Sequence, residues 1–428
     1  MQYTGILCGN FSSAGRCLTP TTVDAAWRYK VKTPEERALG HRYYYPKFYD
    51  MCFGDRDRGI EGIERYEMTI NKEVELTLCQ RTHKFTVDRL ELYICPFNVV
   101  LYSIMVSMSS QSHNDITLVM SKLRNFTGVD YANGTLKPFI EVAIKPIMRL
   151  CDSVQLSGRD AQMKGAYDAM LLYGNKFKLF QVVALDDEKT KSMDSDMLIY
   201  EFGTLTRIDN HDMSAPEAPS EEYLEKIVKT NRISVFNDWK ALALFDTFTM
   251  MGQRLSEGTI RNWVDNYFGM IYLYGIFVKV YLFDLNNNYD SSLKNCFAMR
   301  KSMMSEMYDM FEGKHYFPDI SYNFLPRMVN TQIQEALEIA PEKSRIYERI
   351  ERQNMLREKR VDSRMNNLLF FISSLTMFSA IWDAACLVNE MYPFSKYLET
   401  PEMGFRSVFS IFVLLALLCL ALVIRRRR

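Results

Sequence analysis

The 428-residue chain has no excess of charge of either sign, because 52 Lys and Arg face 52 Asp and Glu. That balance excludes a globally basic surface of the kind that holds nucleic acid, and it excludes the acidic excess of many disordered chains. No direct nucleic acid binding is expected. Histidine is scarce, and His41, His83, His113, His211 and His315 are dispersed. The nine cysteines, Cys8, Cys17, Cys52, Cys79, Cys95, Cys151, Cys296, Cys386 and Cys419, include no C-x-x-C pair. Thiols scattered in this way read as reduced and structural, and neither residue type offers the clustered ligands of a zinc site. There is no G-x-S-x-G, no H-E-x-x-H and no localised Cys and His grouping, so the chain reads as a non-enzyme. The opening "MQYTGILCGNFSSAGRC" lacks a charged segment followed by a sustained apolar run. No cleavable signal peptide is expected, and the water-soluble part is expected in the cytosol.

What is abundant is apolar sequence near residue 428. "SVFSIFVLLALLCLALVIRRRR" runs from Ser407 through an uncharged stretch to Ile424, then to Arg425, Arg426, Arg427 and Arg428. As a helix, residues 407–424 reach about 27 Å, close to the hydrocarbon thickness of a bilayer. A buried core helix would have to explain the uninterrupted run into four arginines.

The first two hundred residues alternate strand-like and helical runs. "VELTLCQ", "RLELYICP", "NVVLYSIMVSM" and "FKLFQVVAL" are rich in β-branched and aromatic residues, whereas "DITLVMSKLRNF" and "AQMKGAYDAMLLYG" have helical spacing. "DNHDMSAPEAPSEE", residues 209–222, is polar and proline-bearing and reads as an exposed loop. His211 beside Asp209 and Asp212 could hold a metal, although solvated loop side chains read the same way. "RISVF" and "KALALFDTFTMM" suggest further strands, and helix follows. "YFGMIYLYGIFVKVYLF", Tyr267 to Phe283, is apolar, short for a span and interrupted by Lys279, so it reads as a buried packing helix.

From Pro341 nothing breaks a helix until Pro393, and residues 342–391 predict one rod of about 75 Å. Its first half is charged, with Glu348 and Arg352 paired at i,i+4, and its second half from Leu368 is membrane-like. Positive residues gather before this span (Arg357, Lys359, Arg360, Arg364) and after the next (Arg425 to Arg428), while "PFSKYLETPEMGF" between them has few. The bias places both termini in the cytosol.

The first span carries Asn366, Ser373, Thr376, Asp383 and Glu390 along one stripe. Leu368, Phe371, Ile372, Leu375, Phe378, Ile381 and Trp382 form the other side. Two readings compete for the stripe. It is helix-to-helix glue, as serine and threonine are where spans meet, or it lines a pore built from several copies around a water column.

A cytosolic α/β domain, a long stalk helix, two C-terminal transmembrane helices and a basic tail resemble the CorA family of divalent cation transporters. The junction "RMNNLLFFISSLTMFSAIWD" is similar in character to the start of that family's first span. The family's Gly-Met-Asn signature is replaced by Leu387-Val388-Asn389, of which only Asn389 matches. The resemblance implies a homopentamer in a cell inner membrane, with the first span lining a pore for a divalent cation such as Mg2+. It also implies that Asn389 meets the hydrated ion and that Glu390, Glu399 and Glu402 attract cations at the outer mouth. A further resemblance is to the CorA-like effectors of type III CRISPR antiviral systems, which implies gating by a nucleotide second messenger such as SAM-AMP. A housekeeping magnesium transporter and a non-conducting membrane-anchored sensor or scaffold are the alternatives.

The expected organisation is an α/β domain at 1–212, its continuation at 213–330 and mainly helical after 258, a stalk helix at 331–367, a first span at 368–391, an outer loop at 392–406, a second span at 407–424 and a tail at 425–428. For a nucleotide, "FGDRDRGIEGIER" offers Gly54, Gly59 and Gly62 with Arg56, Arg58 and Arg65, which could cradle phosphate. Its spacing matches neither a P-loop nor a dinucleotide fingerprint, and an ordinary charged turn is the competing reading. "ALDDEK" adds Asp186, Asp187 and Glu188, acids of the kind a divalent-sensing site uses, with no position assignable as a ligand.

Overall fold

In the computed structural model the described residues are 1–11, 26–109, 111–125, 134–153, 176–185, 195–206, 219–294, 298–391, 410 and 413. They form two units, Met1–Ile346 and Tyr347–Arg428. Residues 209–218 of the loop expected at 209–222, "AQMKGAYDAMLLYG", Asp186 to Glu188, the outer loop with Glu399 and Glu402, and nearly all of 407–428 lie outside the described residues, while Glu221 and Glu222 of that expected loop instead open a helix capped by Ser220.

The first unit is built on a nine-stranded sheet: β1 (Gln2–Asn10), β2 (Arg28–Lys30), β3 (Glu64–Leu78), β4 (Arg81–Ile94), β5 (Val100–Ser109), β6 (Lys178–Leu185), β7 (Arg232–Ile233), β8 (Trp239–Ala243) and β9 (Thr247–Gln253). The spatial order is β2-β3-β4-β5-β1-β6-β9-β8-β7. Every pairing is antiparallel except β6 with β9. The strand-like runs read from the sequence all fall in this sheet, though "RISVF" contributes only Arg232 and Ile233.

β1 and β6 are the central pair, and β6 is buried along its whole length. A strand covered on both faces reads as a continuous apolar run, which is why "KLFQVVAL" shows no polar alternation. One face joins Tyr3, Leu7, Leu179 and Val183 to Ile116 and Val119 of helix α3 (His113–Arg124), to Ile147 of α4 (Lys145–Ser153) and to Phe202 of α5 (Ser195–Thr204). Gln181, the polar side chain in the interior of β6, is satisfied there: it accepts from Tyr3 Oη and donates to Phe202 O and Thr249 Oγ1 at 2.6–2.9 Å.

The opposite face meets a helical layer. Phe180 and Phe248 contact Tyr272, each with ring centroids 6.0 Å apart. The remaining helices of the unit are α1 (Pro34–Tyr43), α2 (Pro46–Cys52), α6 (Glu221–Asn231), α7 (Glu257–Asp265), α8 (Phe268–Lys294), α9 (Ala298–Lys314) and α10 (Phe324–Ala336). α8 contains the apolar stretch at 267–283, and 83% of its apolar window is buried. Its polar groups are answered inside the protein. Tyr274 Oη donates to His315 O and accepts from Phe317 N. Gly275 lets α10 approach, since a Cβ there would meet Ile333 Cγ2 at 2.8 Å.

Helix α11 (Ile339–Met391) covers the rod expected at 342–391, with Pro341 in its first turn, but the stalk expected from 331 starts only at Ile339, because the chain breaks after α10 where Glu338 takes φ 55°. Its start belongs to the first unit and is anchored by one carboxylate. Glu342, 6% exposed, accepts from Lys279 Nζ at 3.1 Å and from Asn286 Nδ2 at 2.8 Å, both on α8. Removing one partner of a buried pair strands the other charge. Glu342→Ala is therefore expected to lower unfolding free energy by about 3 kcal/mol, and the double variant Lys279→Met with Glu342→Leu to recover most of it. Chemical denaturation of the full chain in detergent checks both.

Candidate functional site

The second unit presents the stripe. Asn366, Ser373, Thr376 and Asp383 are all exposed on α11. So are the apolar residues around them, among them Leu368 at 59%, Phe371 at 62% and Trp382 at 51%. The apolar windows of α8 and α11 have mean hydropathies of 1.5 and 1.3, yet the first is 83% buried and the second 0%. By length and composition both helices could cross a membrane, but among the described residues α8 has protein around it and the apolar part of α11 has none. Two hydroxyls on α11 turn back onto their own helix: Ser374 Oγ donates to Phe370 O at 2.8 Å and Thr376 Oγ1 to Ser373 O at 2.9 Å. Spending the proton this way leaves the hydroxyl oxygen's lone pairs outward, the polarity a cation needs. Asn389 and Glu390 lie in the same helix, but their side chains are outside the described residues.

The glycine-arginine segment takes a form set by its own acids. Arg56–Arg58 is one 3-10 turn, ended by Gly59 at φ 67°. Asp55 caps it, its Oδ1 accepting from the backbone N–H groups of Asp57 and Arg58. The amides that would cradle a phosphate are already paired with a carboxylate. Arg58 Nε is 3.5 Å from Asp55 and Arg56 Nε is 3.8 Å from Asp57. Arg65 is buried, lies over the Phe53 ring at 4.0 Å and donates to Cys52 O. The three arginines thus have local structural work, as an ordinary charged turn would.

The sequence did not signal a cavity of about 400 Å³ in the helical layer. Its lining includes Tyr43, Tyr44, Tyr49, Trp239, Trp263, Tyr267 and Phe268, together with Glu36, Asn262 and Asn266. Four local devices assemble it. Thr33 and Glu36 form a capping box that starts α1 and fixes Glu36. Gly40 lets Tyr49 lie against α1, because a Cβ there would meet that ring at 2.2 Å. Ser256 caps α7. Gly269 permits the tight corner between α7 and α8, where a Cβ would meet Val264 O at 2.1 Å. That corner gathers Asn262, Trp263, Asn266, Tyr267 and Phe268, a run whose "RNWVDN" reads from sequence only as a neighbour of the apolar helix.

Salt bridges tie the corner to the sheet. Arg89 of β4 pairs with Asp265, and its Nε lies 3.5 Å from Glu91 and 3.8 Å from Glu67. Lys30 also reaches Glu67 at 2.6 Å and Glu91 at 3.3 Å. Burial pushes the Glu91 carboxyl up, but Arg89, Lys30, a hydrogen bond from Tyr93 and Arg65 outweigh it and hold the group at about 2. Among the described residues no group of three or more His, Cys, Asp or Glu is arranged to hold a metal ion.

No protein-family model, curated protein or solved structure matches the chain.

The depressed Glu91 pKa makes a pH prediction. The stability it contributes is fully present above the ordinary value of 4.5 and is lost as pH falls through about 2. Thermal unfolding between these pH values is expected to show a falling midpoint, and Glu91→Gln to flatten that part of the profile while lowering the midpoint at pH 7.

Proposed function

We propose that the chain is an oligomeric membrane cation channel of the CorA type, in which copies of α11 surround the ion path. The observation that carries the reading is an apolar helix that no described residue covers, with a row of polar groups along it. Apolar side chains in that number need lipid or other protein around them. An Asp near mid-membrane is costly unless it faces water or a partner. A ring of several copies meets both demands, with Leu368, Phe371 and Trp382 toward lipid or neighbouring spans and Ser373, Thr376 and Asp383 toward the axis. One copy encloses nothing, so the function requires an oligomer, and the family resemblance supports five.

Hydroxyl and amide rings suit a hydrated divalent ion such as Mg2+, and carboxylates concentrate cations. The cytosolic unit then acts as the control element, with both termini in the cytosol of a cell whose inner membrane holds the channel. A gating ligand must prefer the open state, and moving a pore from nearly closed to nearly open takes about 5.5 kcal/mol of differential affinity, which several equivalent sites can share. The resemblance to the CorA-like effectors supports a nucleotide second messenger as that ligand, over self-gating by the transported ion.

Purified protein in liposomes loaded with a divalent-sensitive dye tests the reading. Cation flux is expected, and Asp383→Leu or Thr376→Leu should reduce it to the level of protein-free vesicles while leaving the oligomer intact by size-exclusion chromatography. Flux unchanged in both variants would make the stripe packing glue, and no flux in the parent with any ligand would favour a scaffold.

A further inference from the structure

We propose that the charged stretch of α11 ahead of its apolar part, residues 348–364, is a docking surface that reads a second, parallel copy of this chain by charge and restricts assembly to like copies. The inference rests on the channel reading only in requiring copies side by side. It names what that reading leaves open, the part of the chain that chooses the neighbour.

The charges of this stretch are sorted by sign. At about 3.6 residues per turn, Glu348, Glu351, Glu358 and Asp362 share one face and Arg349, Arg357, Arg360 and Arg364 another, the two centred about 180° apart. Arg352 and Lys359 fall between these faces on one side, and Tyr347, Ile350, Val361 and Met365 form an apolar sector between them on the other. Such sorting works against a lone helix, in which opposite charges four residues apart stabilise and like charges repel. Here Glu358 precedes Asp362, and Arg360 precedes Arg364, at that spacing. Glu351, Glu358, Asp362, Arg357, Arg360 and Arg364 are all exposed, and none of them forms an ion pair among the described residues.

Each face therefore needs the opposite sign at matching heights, and a parallel copy of the same helix carries it. In register, every acid of the one face has an arginine of the neighbour's other face within two residues, about 3 Å of rise. The apolar sector, with Tyr347, Val361 and Met365 exposed, becomes the seam between copies. Charged flanks that pair across such a seam are how parallel helices select partner and register. A lipid surface answers the arginines alone and leaves the carboxylates without a partner.

Two differently tagged copies of the full chain, co-expressed and co-purified in detergent, test this without measuring flux, so that failure of the channel reading is seen separately. In an acid-face variant carrying Glu351→Arg, Glu358→Arg and Asp362→Arg both faces are positive, and self-association is expected to fall by about tenfold. A swapped variant adds Arg357→Glu, Arg360→Glu and Arg364→Glu and so keeps the parent's net charge ahead of the span. It is expected to assemble with itself as the parent does while capturing little parent chain, which separates lost docking from lost folding. Raising salt from about 0.1 M to about 1 M shortens the screening range from about 10 Å to about 3 Å and is expected to weaken parental co-purification. Parent-like self-association of the acid-face variant would overturn the proposal and leave the arginines to anionic lipid headgroups. So would a swapped variant that captures the parent as readily as itself.

Discussion

Glu342 holds two things that would otherwise be independent, the helical layer under the sheet and the first turns of a 53-residue helix. A carboxylate this deep is tolerable only because Lys279 brings the opposite charge and Asn286 supplies a second donor. The same pair explains how α8 can carry a lysine inside its most apolar stretch. Lys279 is not a defect in a membrane span but one half of a buried bridge. Lys343 adds a second tie one residue along, reaching Glu312 at 2.9 Å and lying over the Tyr316 ring at 3.8 Å. The start of α11 is thus fixed from two sides by α8 and α9.

Beyond that start the energetics invert. Residues near 370 have side chains as apolar as those of α8, yet among the described residues nothing buries them, so the hydrophobic free energy that α8 obtains from the sheet is not obtained there. Polar residues in such a stretch oppose insertion, each by up to about 3 kcal/mol for a charge at mid-membrane. Their retention along one stripe, with Thr376 turned onto its own backbone, is economical if the stripe faces water and wasteful if it faces hydrocarbon.

Much of the fold was legible because burial leaves a pattern. β6 and β5 announce themselves by β-branched and aromatic density, and the long helix by the distance from Pro341 to Pro393. Hydropathy alone could not separate α8 from a span; Lys279 was the informative residue, and only its pairing with Glu342, 63 positions away, explains it. The stripe was legible because all its members lie on one helix. The cavity was not, because its lining runs from Glu36 to Leu325 across separate elements and is completed by glycines whose role is the absence of a Cβ. Arg56 and Arg58 show the opposite limit: a glycine-arginine cluster reads from sequence as a phosphate cradle, whereas in the structure Asp55 holds two of the turn's amides.

The cavity and the Glu342 bridge share α8. Tyr267 and Phe268 line the cavity at the helix's beginning, and Lys279 and Asn286 bond Glu342 further along the same rod, about 17 and 27 Å from Phe268 at helical rise. Trp263 and Tyr267 flank Asp265, through which Arg89 clamps this corner to the sheet, so the start of α8 is held at a fixed point. Contiguity of this kind is not coupling, which requires that the bridge at Glu342 exist in two arrangements with different affinities for a gating ligand. The buried pair is suited to that role, because charges desolvated together tolerate few intermediate geometries. A helix with one end at an aromatic cavity and its middle in such a pair has the mechanical parts of a switch.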